Sequence, residues 1–356
     1  MNTGKKLIAL LLVAVLMIAA IGCTKPDAPV TPDEPSTQGD PVTPDEKEFV
    51  KKACLITEQG MGAPFTALVW RGFEKLESEG WEVKCIEITE TAEIAEQIRS
   101  MVQLGYTAIY TMFDTVSTVA LDMSEELYDM NPDARFFLID NMTLQDTKNC
   151  INLVVDSWEP SFVAGAIAAK TTTKDQVGWI CHLEIPVMDR FRDGYIAGVQ
   201  YVNPDIEVIQ AYTGSETDSV KGMETAQAML ANYDLDLIYQ TANLSGLGVI
   251  QACEDAGIQC IGVDEYQGDI SDCVFWSALT DIDSAVYFTA TELEKGWSYG
   301  NSAIYDISWG CTVYDERDYA ELSDDMKKFV DELMAGIKDG TIDVYMGNTE
   351  AGTLLR

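Results

Sequence analysis

KKACLITEQGMGAPFTALVWRGFEKLESEGWEVKCIEIT, residues 51–89, changes its hydrophobic period twice. Residues 53–57 are a short apolar run and read as a strand. Phe65, Leu68, Val69, Gly72, Phe73 and Leu76 then fall on one helical face, and 83–88 returns to a strand. Working outward, Ile94, Ile98 and Met101 mark a second helix and 108–112 a third strand, completing βαβαβ. A helix over 119–128 stops before Asn131-Pro132, because the residue ahead of a proline is pushed out of helical conformation. Residues 135–139 read as a fourth strand ending at Asp140, so this half can form one parallel sheet covered on both faces by helices.

The pattern then begins again. Strands are predicted at 151–155, 177–181, 206–212, 237–239 and 260–263, alternating with helices over 162–169, 188–202, 220–230 and 247–256. Two consecutive doubly wound α/β units predict two lobes facing a cleft, with ligand held beyond the carboxyl ends of the strands. The expected division is an N-terminal lobe over 49–154 and a C-terminal lobe over 155–264. A stretch over 265–310, with strand 274–277 and helix 285–297, is expected to return to the first lobe. The last segment, 311–356, carries a helix marked by Met326, Phe329, Val330, Leu333 and Ile337 and has no assigned lobe.

Ahead of this folded part, Lys5 and Lys6 precede an apolar run over 7–21, and small Gly22 precedes Cys23. That is the layout of an export signal over 1–22, and the run is shorter than the roughly 20 apolar residues a bilayer needs. Residues 23–48 are rich in proline and acidic residues and repeat Pro-Val-Thr-Pro-Asp-Glu at Pro29 and Pro41, so they read as an extended spacer.

Composition removes several functions. The net charge of −36, with only 23 Lys plus Arg, argues against nucleic acid, which needs clustered cations to displace its counterions. The single histidine, His182, makes a His-rich metal site or a Ser-His-Asp triad improbable, so an enzyme is disfavoured and no metal or cofactor is expected. The one catalytic grouping worth naming is His182 with Glu184 and Asp189. Eight cysteines besides Cys23 permit disulfides in an exported protein without requiring them; Cys54 and Cys85 lie on consecutive predicted strands.

Candidate binding residues follow from the strand ends. Asp264 closes an apolar strand, where a carboxylate can accept two O–H donors or cap the next turn, and Asp114 has the same two readings. Trp70, Tyr110, Phe113, Trp158 and Trp276 lie at or near strand ends or on the cleft-side helix.

From 158 to 267 the residues are less generic. Ser161-Phe162-Val163-Ala164-Gly165, Ile185-Pro186 with Phe191 and Gly194, Gly246-Leu247-Gly248-Val249 and Ile261-Gly262-Val263-Asp264 occur in that order. This set resembles the basic membrane protein family of lipid-anchored substrate-binding proteins of ABC importers, many of which bind purine nucleosides. Phe65 and Gly72 match its first-helix motif. The resemblance implies a type I periplasmic-binding-protein fold, an ABC permease as partner, and a membrane anchor through lipid on Cys23, where Ala20-Ile21-Gly22-Cys23 resembles a lipobox. It implies that Phe191 stacks on a base and that Asp264 takes ribose hydroxyls. The expected ligand-binding set is Phe65, Thr66, Tyr110, Asp114, Trp158, Phe191, Asn243, Asp264, Trp276 and Thr280. Gly62, Thr66 and Thr280 stand where the family carries a carboxylate, an amide and an ammonium, so the ligand chemistry is expected to differ while the scaffold is kept. Sensing through a membrane receptor is the alternative to transport.

Overall fold

The computed structural model describes residues 49–141, 143, 146–298 and 300–346. The expected signal, Cys23 and the spacer lie outside these residues. The first sheet contains β1 (Lys52–Thr57), β2 (Glu82–Glu87), β3 (Ala108–Met112), β4 (Arg135–Ile139), β5 (Cys150–Val155) and β11 (Ser302–Tyr305), in the order β11-β5-β4-β3-β1-β2. The second contains β6 (Gln176–Cys181), β7 (Glu207–Tyr212), β8 (Leu237–Thr241), β9 (Gln259–Asp264) and β10 (Val274–Leu279), in the order β10-β9-β8-β6-β7. Every named strand pair is parallel.

In each sheet the order reverses once, between β1 and β3 and between β6 and β8, and at such switch points the connecting helices leave on opposite faces and open a crevice. Helices on both faces explain why β3, β4 and β5 are almost continuously apolar and buried. The motif glycines belong to this packing. A Cβ on Gly198 would run into the carbonyl of Phe162, and one on Gly165 into that of Tyr195, so glycine lets helices Trp158–Thr171 and Pro186–Val202 touch backbone to backbone.

Two expectations change. Strand 274–277 does not return to the first lobe: β10 pairs with β9 and extends the second sheet. The return starts after β10, with helix Ile282–Glu294 packing on helix Pro64–Ser78 and β11 joining β5. The strand over 151–155 belongs to the first sheet as β5, so the second unit opens with helix Trp158–Thr171. Cys54 and Cys85 are not bonded, because in the parallel register Cys85 pairs with Leu55 while Cys54 pairs with Lys84, which puts the two thiols on opposite faces. The last helix, Asp324–Lys338, buries Val330, Leu333 and Ile337 and packs against helix Trp158–Thr171. The chain thus passes between the lobes after β5, after β10 and after β11.

Candidate ligand-binding site

The carboxyl ends of both sheets border one cavity of about 450 Å³. The first lobe contributes Gln59 after β1, Phe65 on the following helix, Met112, Phe113 and Asp114 at β3, and Asp140 at β4. The second contributes His182 after β6, Glu216 after β7, Thr241 and Asn243 at β8, and Asp264 at β9. Pro186 to Met188 and Phe191 line it from helix Pro186–Val202, whose N-terminus points inward.

Four of these non-glycine residues have left-handed backbone: Phe113 (φ 73°), Asp140 (52°), Asn243 (53°) and Asp264 (69°). Aspartate and asparagine tolerate that region, but a phenylalanine there costs about 1 kcal/mol or more. Each sits where a buried strand turns abruptly to its next segment, and together they set the side chains around one opening. Such strain concentrates where the surrounding structure has a use for it.

The polar groups fall into two kinds. Asp114 accepts from Asn141 Nδ2 at 3.2 Å, and Asp140 pairs with the buried guanidinium of Arg190 at 2.8 Å across the lobes. By contrast His182 Nδ1, Thr241 Oγ1 and Ser157 Oγ line the cavity, are buried, and make no hydrogen bond. A buried donor or acceptor without a partner costs roughly 1–3 kcal/mol, so three at one cavity mark places where a ligand's groups belong. Burial pushes the carboxyl of Asp264 up to about 7, the Thr280 hydroxyl draws it down, and the charges of Glu265 and Asp140 push it further up. Burial holds His182 below its ordinary value, with Glu216 opposing. Behind Asp264, Gln267 Oε1 accepts from Val263 N at 3.2 Å and from Gln240 Nε2 at 2.7 Å, which fixes the end of β9.

Six of the ten expected binding residues line the cavity: Phe65, Asp114, Phe191, Asn243, Asp264 and Thr280. Four do not. Tyr110 is stacked on Phe137 in the core with its hydroxyl donating to Val286 O at 2.9 Å. Trp158 donates to Val344 O at 2.8 Å. Trp276 is fully buried with its ring 5.0 Å from that of Tyr314, and Thr66, next to Phe65 in sequence, is buried away from the lining with its hydroxyl unpartnered. Of the other aromatics, Phe113 lines the cavity and Trp70 stacks on Phe73 instead. Asp140, Thr241 and Glu216 also line the cavity, as does His182, which the sequence suggested only as a catalytic base; Asp140 and His182 directly follow β4 and β6, whereas Thr241 ends β8 and Glu216 lies four residues past β7.

Residues 49–344 match the family model described as ABC transporter substrate-binding protein PnrA-like. Basic membrane protein A of Borreliella burgdorferi is 31% identical over 214 residues, 58% of this chain and 62% of that protein, so the match spans under two thirds of that relative. The ABC transporter nucleoside-binding protein BmpA of Lactococcus lactis subsp. cremoris is 25% identical over 371 residues, 96% of this chain and 99% of that protein. Among solved structures, an ABC transporter solute-binding protein from Aeropyrum pernix K1 superposes with a TM-score of 0.67 at 23% identity, covering 82% of this chain and 92% of that one. A transcriptional activator of the comK gene from Bacillus halodurans gives the same TM-score of 0.67 at 19% identity, over 80% of this chain and 96% of that one. At those identities the structures speak for the fold alone. Among the described residues no helix is long and apolar enough to cross a membrane.

Proposed function

The chain belongs to the Bmp family of ABC-transporter substrate-binding proteins, and from that premise we propose that it is an extracytoplasmic receptor, tethered by lipid on Cys23, that captures a nucleoside or nucleobase between its lobes and delivers it to an ABC permease. The observation that carries this reading is the cavity itself: Phe65, Phe113 and Phe191 line the same space as three buried, unpartnered polar atoms. Aromatic rings offer a flat apolar face to a base, and the unpartnered groups match the hydroxyls and ring nitrogens a nucleoside presents. The name of the Lactococcus relative points the same way.

Each residue has a part in this reading. Phe65 and Phe191 stack on the base, and Asp264 with Thr280 takes hydroxyls or N–H groups. His182 and Thr241 fix orientation. Arg190 on the second lobe and Asp140 on the first form an ion pair that draws the lobes together, and Arg71 with Glu265 forms a more exposed pair at 2.7 Å. Closure about the three crossings brings the aromatic and polar walls onto the ligand and excludes water.

Thermal or urea denaturation of the purified protein with a panel of purine and pyrimidine nucleosides and nucleobases tests the proposal. A ligand at a hundredfold excess over its Kd adds about 2.7 kcal/mol. A panel in which no member moves the transition would refute the nucleoside assignment.

A further inference from the structure

The cavity is unbalanced in charge. Asp114, Asp140, Glu216 and Asp264 line it, and among the described residues no lysine or arginine does. Arg190 neutralises Asp140 at 2.8 Å without lining the cavity, and Asp114 is exposed and bonded to Asn141. Asp264 has no such relief, since its charged neighbours, Glu265 and Asp140, are also acids and its polar neighbour is the Thr280 hydroxyl. His182, the one imidazole on the lining, is held below its ordinary value by burial, with Glu216 opposing. A buried carboxylate without a cation is unfavourable, and an arriving cation removes that cost. The second, independent sign of a ligand is the pair of buried atoms without partners at the same cavity, His182 Nδ1 and Thr241 Oγ1.

We infer that the ligand supplies the missing positive charge: the cavity takes a flat heteroaromatic cation, its positive edge facing Asp264 and its ring against Phe65 and Phe191. This rests on the proposed reading of the cavity as a site for an aromatic ligand and narrows it. The same lining disfavours phosphorylated ligands, whose phosphate would meet carboxylates with no arginine or lysine to receive it.

Two ribosides of matched shape separate charge from shape. Nicotinamide riboside is a permanent cation, and benzamide riboside is its uncharged counterpart. Calorimetric titration of the whole protein above neutral pH is expected to show the cation binding about tenfold tighter or more, the worth of one charge-assisted contact. Asp264→Asn keeps the side-chain shape and tolerates the φ of 69°, and should bring the two ligands within about threefold of each other. Equal or tighter binding of the uncharged riboside by the wild type overturns the inference while leaving an aromatic-ligand receptor in place. Failure of both, together with failure of adenosine, guanosine, inosine and uridine, overturns the proposed function as well. The wild-type comparison stands even if the variant folds poorly.

Discussion

The two lobes meet the cavity with different chemistry. On the first, the two acids at the rim are already engaged: Asp114 with Asn141, Asp140 with Arg190. On the second, His182 and Thr241 reach the cavity without partners, and Asp264 has no cation beside it, only the Thr280 hydroxyl just past β10. The sheets share an order and a switch point, so topology does not cause the difference. It lies in which residue follows each strand. In this account the first lobe supplies a ring and a closing ion pair, and the second reads the ligand's polar groups.

The largest expected effect breaks that contrast at its centre. Asp264→Ala should weaken ligand binding by about ten- to a hundredfold, as loss of a charged hydrogen-bond partner does, whereas Asp114→Ala should cost less than about threefold. Calorimetry on the two variants checks it, and equal losses would erase the distinction between the lobes.

Next comes the pH dependence of stability without ligand. The folded-state value of Asp264, about 7, lies above its ordinary 3.8, so the folded protein holds a proton there that the unfolded chain releases. Stability from this group is therefore full at low pH and is lost as pH rises from about 4 to 7. Asp264→Asn removes the dependence: in urea it should exceed the wild type by roughly 2 kcal/mol near pH 8, and the gap should close by about pH 4. That figure is about half the full value of such a displacement, because part of the residue still touches water. Asp281, raised by burial to about 6, acts in the same direction in both proteins and cancels in the comparison.

A smaller effect sharpens the division among the aromatics. Phe191→Ala and Phe65→Ala should each weaken binding about fivefold, roughly 1 kcal/mol of ring contact, read by the same titration. A separate contrast, read in stability, concerns the two pairs that cross the lobes. Arg190→Met leaves Asp140 without its partner and should lower stability by about 2 kcal/mol, while Arg71→Ala, in an exposed pair, should cost less than about 0.5 kcal/mol. Denaturant midpoints of the two variants decide this.

Much of the fold could be read from the periodicity in 51–89 and its repetition, because buried parallel strands and amphipathic helices carry different spacings. The reading failed at β10 for a local reason. Residues 265–273 connect β9 to β10 without a helix, so the alternation that had marked neighbouring strands broke, and the strand was sent to the wrong lobe. The site was legible at strand ends and illegible inside strands. Asp264 and Asn243 stand at or past the last residues of their strands and reach the cavity. Tyr110 and Trp276 lie within theirs, where side chains point into layers of helix, and no composition signal separates such an aromatic from one at the rim. Thr241 was missed because β8 runs to that residue, two beyond the predicted 239.

The central claim is that the cavity holds a heteroaromatic ligand, with its polar groups read by the second lobe. Mass spectrometry of the small molecule released when the freshly purified protein is denatured tests it most directly. The account predicts a nucleoside-like compound with a flat, ultraviolet-absorbing ring, carrying a positive charge if the acidic lining is matched. A released sugar, amino acid or other compound without an aromatic ring would contradict it.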